Sequence, residues 1–248
     1  MVFPEFGPFA IAFEKDGLTA PGYLTLLHLA SDDAQIVIGR IEEALAVGDP
    51  RQWAAALLAG PNWRPHLVAA IAYLLSRSTP LDPAPLWGSI DAGSWVTPQL
   101  VVTALFSDPM FPLNARSRVD RRCPVNVLSQ RNSIERHITT GPGDTRDRSA
   151  KMLASILGVC PCVPSLAACE LAWRAEAELQ AMLREDASRD RSECLTTSWM
   201  SSVRAQFLKR GIVLSPVADE AAEGRGQLRA PVPFKDSWER NRGIDNSG

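Results

Sequence analysis

The chain has 248 residues, of which 46% are hydrophobic and 22% are charged, and its formal net charge is -2. This composition is typical of a folded globular protein and excludes a fibrous or wholly disordered chain. The near balance of 26 basic and 28 acidic residues argues against a surface built throughout for nucleic acid or anionic lipid.

The sequence also bears on location. Its longest uninterrupted apolar stretch, residues 67–75, is about half of the roughly 18 residues that a membrane-spanning helix needs. Residues 1–12 contain no Lys or Arg, so the positively charged start of a secretory signal is missing. The five cysteines are irregularly spaced, which does not indicate a disulfide framework. We therefore expect a cytoplasmic protein, and the 22 Arg against 4 Lys favour a bacterial source.

In chain order, residues 1–25 mix Phe, Gly and Pro and predict either a short strand or an irregular cap over the helices that follow. Next, Ser31 or Asp32 can cap a helix that ends at Gly48. Apolar residues recur at helical spacing between them. They are Val37, Ile38, Ile41, Ala44 and Leu45.

An internal repeat of 33 residues follows, since residues 49–72 superpose on 82–105 with seven identities. In each copy an Asp can cap a first helix that begins with Pro, and a Gly eleven residues later can end it in the left-handed conformation. Pro65 or Pro98 then opens a second, more apolar helix. Each copy therefore predicts a helical hairpin.

The run from Asn62 to Ala72, in which a Pro-opened helix continues into small and aliphatic residues, resembles the HEAT-like repeats of α-solenoid proteins. The resemblance covers residues 50–106, and a looser third copy, with Asp147, Gly158 and Pro164 at similar spacing, extends it to 147–183. It implies an all-α, right-handed stack of about four or five helical pairs. The Asp and Arg ladder usual in such repeats is missing.

Residues 107–146 contain several Pro and Gly and predict a loop-rich insertion in a single helical-repeat domain, residues 1–214. The insertion is basic, because residues 114–151 hold 9 bases and 4 acids whereas 1–113 hold 5 bases and 11 acids. Such a cluster either pairs with neighbouring acids or contacts an acidic partner or a phosphate backbone.

Two further helices are predicted, over 165–190 and over 197–209, the second ending at Gly211. The first carries an expected apolar stripe. Its members are Leu166, Cys169, Ala172, Trp173, Ala177, Leu179 and Leu183. The polar, Gly- and Pro-rich residues 215–248 predict a flexible C-terminal tail.

No catalytic signature is present: the chain has no Gly-x-Ser-x-Gly, His-Glu-x-x-His or phosphate-binding loop motif. Cys160, Cys162 and Cys169 are poorly spaced for zinc, because structural sites pair ligands two to four residues apart. We therefore expect neither a metal nor a cofactor. An enzyme whose groups meet only in space stays an alternative.

The tryptophans carry the functional prediction. Trp53 and Trp87 are expected in the core, whereas Trp63 and Trp95 fall in turns between helices, and turns line an edge of a helical stack. Trp and Arg often anchor interfaces, so we predict a partner-binding surface. Its candidate residues are Trp63, Arg64, Trp95, Gln99, Arg116, Arg118, Arg121 and Arg122.

This surface predicts a non-catalytic protein-binding module. Its class and size suit a bacterial immunity or antitoxin protein, or an adaptor of a secretion system such as type VI, that occludes its partner. The alternative is a nucleic-acid-binding HEAT-like protein such as a DNA glycosylase, against which the limited extent of the basic region counts.

Overall fold

The computed structural model describes residues 4–47, 49–76, 79–121, 142–163, 165–183 and 188–216. Within these ranges all regular structure is helical, as predicted. A 3₁₀ segment, Pro4–Phe13, precedes ten α-helices. They are α1 (Gly22–Thr25), α2 (Asp32–Ala46), α3 (Pro50–Leu58), α4 (Trp63–Leu75), α5 (Ala84–Asp91), α6 (Thr97–Ser107), α7 (Phe111–Arg121), α8 (Pro142–Val159), α9 (Leu166–Met182) and α10 (Ser188–Lys209).

The predicted helix starts are confirmed for α2 and α3. The first helix of the second copy, α5, begins at Ala84, one residue after the predicted Pro83, and Pro83 is its cap residue. Ser31 Oγ accepts a hydrogen bond from the Ala34 amide at 3.2 Å. Asp49 accepts from the Arg51 amide at 2.9 Å, and Asp82 accepts from the amide two residues on at the same 2.9 Å. These carboxylates satisfy amides that have no partner inside the helix.

The predicted glycine stops differ between the copies. Gly93 follows α5 with φ of +75° and Gly211 follows α10 with φ of +76°, as the spacing predicts. The prediction is wrong for Gly60, which lacks a positive φ. There α3 ends on right-handed backbone at Ala59, and the Gly60 carbonyl engages His66 instead.

The second helix of each repeat lies at the centre of the molecule. Ten of the 13 residues of α4 are buried, as are ten of the 11 residues of α6. Helices that are apolar on all sides become buried. Accordingly α4 packs against α2, α3 and α6, while α6 packs against α4, α5, α8 and α10.

The last helix returns to the first ones. In α10, Trp199 Nε1 donates to the Leu26 carbonyl at 3.2 Å, and just beyond it Arg210 pairs with Glu42 of α2 at 3.0 Å. In a linear stack each unit touches only its neighbours. Contact between α10 and the N-terminal helices therefore adds a closure that stacking of hairpins by itself does not produce.

The expected loop-rich insertion is wrong for residues 111–121, which form α7, and for residues 142–146, which begin α8. Buried Asp108 accepts from the Met110 amide at 2.8 Å just before this helix. Pro112 stands at its second position, where a missing N–H costs little. Residues 122–141 of the predicted insertion, and all but the first two residues of the predicted tail, lie outside the described residues.

The third copy differs from expectation, whereas the start of the chain takes one of its two expected forms. Asp147 and Gly158 lie inside α8, so neither marks a helix boundary, and Ser165 caps the next helix through the Ala168 amide at 3.1 Å. Pro4–Phe13 is a kinked 3₁₀ segment against α2 and α3. It is therefore a cap and not a strand.

The buried face of α9 is rotated about the helix axis relative to the predicted apolar stripe. Leu166 is 91% exposed and Trp173 is 75% exposed. The buried residues are Ala168, Leu171, Ala175 and Leu179. Of these four, only Leu179 belongs to the predicted stripe, and α9 packs against α7 and α8.

Candidate functional site

Two tryptophans from successive hairpins meet at the surface. Trp63 is the first residue of α4, Trp95 lies in the turn between α5 and α6, and their ring centroids are 4.7 Å apart. The Tyr23 ring meets Trp63 edge-on at 5.9 Å. With two cations described below they form a surface that we call the aromatic edge: Tyr23, Trp63, Arg64, Trp95 and Lys151.

Local hydrogen bonds set the two turns. Asn62 caps α4, because its side-chain oxygen accepts from the Arg64 amide at 3.2 Å, and this places Trp63 at the helix start. In the other turn, Ser94 Oγ accepts from the Val96 amide at 3.3 Å. Asn62 and Ser94 each stand directly before a Trp, and their hydrogen bonds therefore hold both Trp residues at the ends of their hairpins.

His66 ties the turns to each other. Its Nε2 lies 2.9 Å from the Gly60 carbonyl, which can only accept, so Nε2 carries the proton. Nδ1 then accepts from the Ser94 hydroxyl at 2.8 Å. Burial lowers the pKa of His66 to about 4, against the opposing effect of the Gly60 hydrogen bond. The imidazole is therefore neutral at pH 7 and joins the two turns that carry Trp63 and Trp95.

The Ser94 and His66 pair does not present a nucleophile. Ser94 is 6% exposed and His66 is 2% exposed, and the Ser94 oxygen also accepts from a backbone amide. General-base catalysis requires a substrate atom within hydrogen-bond reach of the pair. This geometry serves to hold the turns together. No sequence pattern indicates this pair, because His66 and Ser94 are 28 residues apart and share no motif.

Two cations flank the tryptophans. The Arg64 guanidinium lies 5.1 Å from the Trp63 ring centroid, and its Nε donates to Tyr23 Oη at 3.2 Å. The Lys151 ammonium lies 5.6 Å from the Trp95 centroid and donates to the Trp95 carbonyl. Burial, together with repulsion from Arg148, lowers the pKa of Lys151 to about 8. Lys151 therefore keeps most of its charge at pH 7.

Two of the predicted arginines serve internal contacts. Arg118 forms a bidentate pair with Asp91 at 2.6 and 2.7 Å and lies 4.1 Å from the Trp87 ring centroid. Its hydrogen-bonding groups are used to join α7 to α5, and its role in partner binding stays a prediction. Arg116 pairs with Glu170 at 2.7 Å, which joins α7 to α9.

The remaining predicted residues differ in how exposed their side chains are. Gln99 is 6% exposed, so it offers a partner little surface and its assignment to the binding surface stays a prediction. Arg121 is exposed at the last residue of α7, and Arg122 lies outside the described residues. The predicted core position of Trp87 is confirmed at 3% exposure, while Trp53 is half-buried.

The structure thus brings together Trp63, Arg64 and Trp95 of the predicted set. It adds Tyr23 and Lys151, which no sequence pattern linked to the turns, because they arrive from distant helices. Trp95 is 59% exposed, and the other residues of the edge are half-buried. The edge can therefore offer a partner both apolar surface and positive charge.

Within the described ranges, no three His, Cys, Asp or Glu side chains form a group that could hold a metal ion. No helix in that part of the chain is long and apolar enough to cross a membrane. Comparison with known proteins gives no match to a family model, a curated protein or a solved structure. Among the described residues, the aromatic edge therefore gives the clearest structural indication of function.

Proposed function

We propose that this protein is a non-catalytic module that binds another protein through the aromatic edge. The observation that carries the proposal is the contact between Trp63 and Trp95, with Trp95 59% exposed. Trp, Tyr and Arg contribute most often to binding energy at interfaces. Exposed apolar surface of this kind marks interaction sites.

The rigidity of the edge favours this role. His66 connects the turns through Ser94 and Gly60, and Arg64 holds Tyr23 against the first Trp. Side chains that are ordered before binding lose less conformational entropy when a partner arrives. The aromatic edge is thus prepared to contact a partner without rearrangement.

We further propose that the hairpins form a HEAT-like stack, supported by the shared Asp contacts at the starts of α3 and α5 and by the central burial of α4 and α6. Within this class we propose a bacterial cytoplasmic immunity protein, antitoxin or secretion-system adaptor. Its mechanism would be occlusion, in which the bound module covers the active surface of its partner.

Nucleic-acid binding is a second candidate, favoured by the cations beside Trp63 and Trp95, since single-strand sites combine positive charge with aromatic platforms. However, the Trp95 ring already packs against Trp63 and Lys151. A base stacking on it has to compete with these neighbours. A protein partner can contact the exposed parts of the ring without displacing them.

The test uses affinity capture from the source cells with three baits: the wild type, Trp95→Ala and the matched control Trp173→Ala. Both tryptophans are exposed, at 59% and 75%, so neither truncation opens a core cavity. We expect a protein that the wild type and Trp173→Ala capture and Trp95→Ala loses. Identical capture by all three baits, or capture that nuclease treatment abolishes, contradicts the proposal.

A further inference from the structure

We infer that the aromatic edge recognises an acidic segment of its partner, whose carboxylates pair with Arg64 and Lys151 while apolar side chains contact Trp95. The inference rests on the proposed function and names the chemistry of the partner. It depends on whether carboxylates of the protein itself pair with Arg64 and Lys151.

The hydrogen bonds of the two edge cations go to neutral acceptors within the described part of the chain. Arg64 donates to Tyr23 Oη at 3.2 Å and to Asn62 Oδ1 at 3.3 Å. Lys151 donates to the backbone carbonyl of Trp95. These contacts orient the cations without neutralising them, so both retain an attraction for an incoming carboxylate.

The arginines of α7 differ in this respect. Arg118 binds both carboxylate oxygens of Asp91, and Arg116 lies within ion-pair distance of both Asp120 and Glu170. Their charges are balanced inside the molecule. Within the described residues, the hydrogen bonds of Arg64 and Lys151 thus place no carboxylate against either cation, although the residues before α7 carry more acids than bases.

Arg148 strengthens the positive field at Lys151. Its side chain packs against Gly93, where a Cβ atom would lie 2.5 Å from Arg148 Cδ, and its charge repels that of Lys151. A carboxylate placed at the edge would pair with Lys151. Complementary charge of this sort supplies specificity and raises the association rate.

A phosphate backbone is less suitable for this surface. Nucleic-acid binding draws its affinity from many neutralised phosphates along a track of cations. Here the edge contributes Arg64 and Lys151, with Arg148 beside Lys151, and the α7 residues Arg116 and Arg118 are engaged in ion pairs. A short acidic and apolar peptide segment matches the size and mixed character of the edge better.

The test titrates the full-length protein with three probes by calorimetry: a short peptide of alternating Glu and Leu, the same peptide with Gln in place of Glu, and an oligothymidylate of equal charge. We expect the Glu peptide to bind, and to bind more weakly at higher salt. The Gln peptide should bind at least tenfold less tightly, a difference in binding free energy of roughly 1.4 kcal/mol. Equal binding of the Glu and Gln peptides overturns the inference. Tighter binding of the oligothymidylate overturns it in favour of nucleic acid.

Variants locate the binding. Arg64→Gln and Lys151→Met should each weaken the Glu peptide about three- to tenfold, because each removes one charge-assisted contact. Arg174→Gln, at an exposed ion pair, should leave its affinity unchanged. If Lys151→Met fails to fold, Arg64→Gln alone decides the result, since the side chain of Arg64 is half-buried at the surface. Unchanged affinity in the edge variants refutes the assignment.

The two proposals fail separately. Capture that depends on Trp95 but is unaffected by Arg64→Gln overturns the acidic partner and leaves protein binding at the edge intact. Capture that is independent of Trp95 overturns the proposed function, even if the Glu peptide binds to the cations.

Discussion

Acidification should destabilise the fold through His66, which is 2% exposed. Burial lowers its pKa in the folded protein from the ordinary 6.5 to about 4. As pH falls below 6.5, His66 becomes protonated in the unfolded chain but stays neutral in the folded protein. The stability that His66 contributes is therefore complete above pH 6.5 and is lost progressively as pH falls to about 4.

The magnitude follows from the difference between the two pKa values. At roughly 1.4 kcal/mol for each pKa unit, the free energy of unfolding should fall by about 3 kcal/mol between pH 7 and pH 4 through this residue alone. That is a large part of the roughly 5 to 15 kcal/mol that stabilises a typical domain. Protonation also places a donor at Nδ1, where the Ser94 hydroxyl now donates.

The measurement is urea unfolding of the wild type and His66→Gln at neutral and acid pH. Gln retains an amide donor for the Gly60 carbonyl but does not titrate. The variant should be about 1 kcal/mol less stable at pH 7, through the lost Ser94 contact, and should lose about 3 kcal/mol less than the wild type on acidification. Carboxylates elsewhere affect both proteins equally.

Ser94→Ala provides the control, because it removes the partner of Nδ1 and leaves the imidazole buried. Its stability should fall at neutral pH by about 1 kcal/mol, while most of the acid sensitivity should remain. If the wild type and His66→Gln lose the same stability on acidification, the neutral, buried state of His66 is refuted.

Gly93→Ala should destabilise the fold by about 1 to 3 kcal/mol, since its φ of +75° and the approach of Arg148 both oppose a Cβ atom. Gly60→Ala, at the equivalent repeat position, meets its nearest atom at 3.9 Å and should be close to neutral; equal losses by thermal unfolding would contradict this difference. Arg118→Ala should cost about 2 kcal/mol in urea unfolding, because it breaks a half-buried bidentate ion pair. The exposed Arg121→Ala should change stability by less than about 0.5 kcal/mol, and similar values for the two would refute an internal role for the first. Asp108→Ala should cost about 3 kcal/mol, since the fully buried carboxylate accepts hydrogen bonds from Trp87, Met110 and Asn114.

Local chemistry explains why many elements were predictable. A side chain such as Ser31 or Asp49 caps a helix through amides two or three residues away, so the relevant contact is visible in the sequence. The same is true of Gly211, which ends α10 with a positive φ. The repeat at an offset of 33 residues likewise appears as paired helices, because its punctuation is local.

The face of a helix is less predictable. Sequence periodicity placed Leu166 and Trp173 toward the core, yet both are largely exposed, and Ala168 and Leu171 are buried in their place. Several apolar residues on α9 allow more than one stripe. Only the close approach of its neighbouring helices selects the one that is buried.

The sequence by itself determined an all-helical chain, two hairpins of one repeat and the position of Trp95 in a turn, since helix caps and apolar spacing act over a few residues. It placed Trp63 in a turn as well, one residue short of its position at the start of α4. Only the tertiary structure decided that these tryptophans touch, that His66 joins their turns, that Lys151 reaches Trp95, and that Arg118 turns inward. Such contacts depend on how whole helices pack against each other. The residues that packing brings together lie far apart in the chain, and no local sequence pattern predicts their contact.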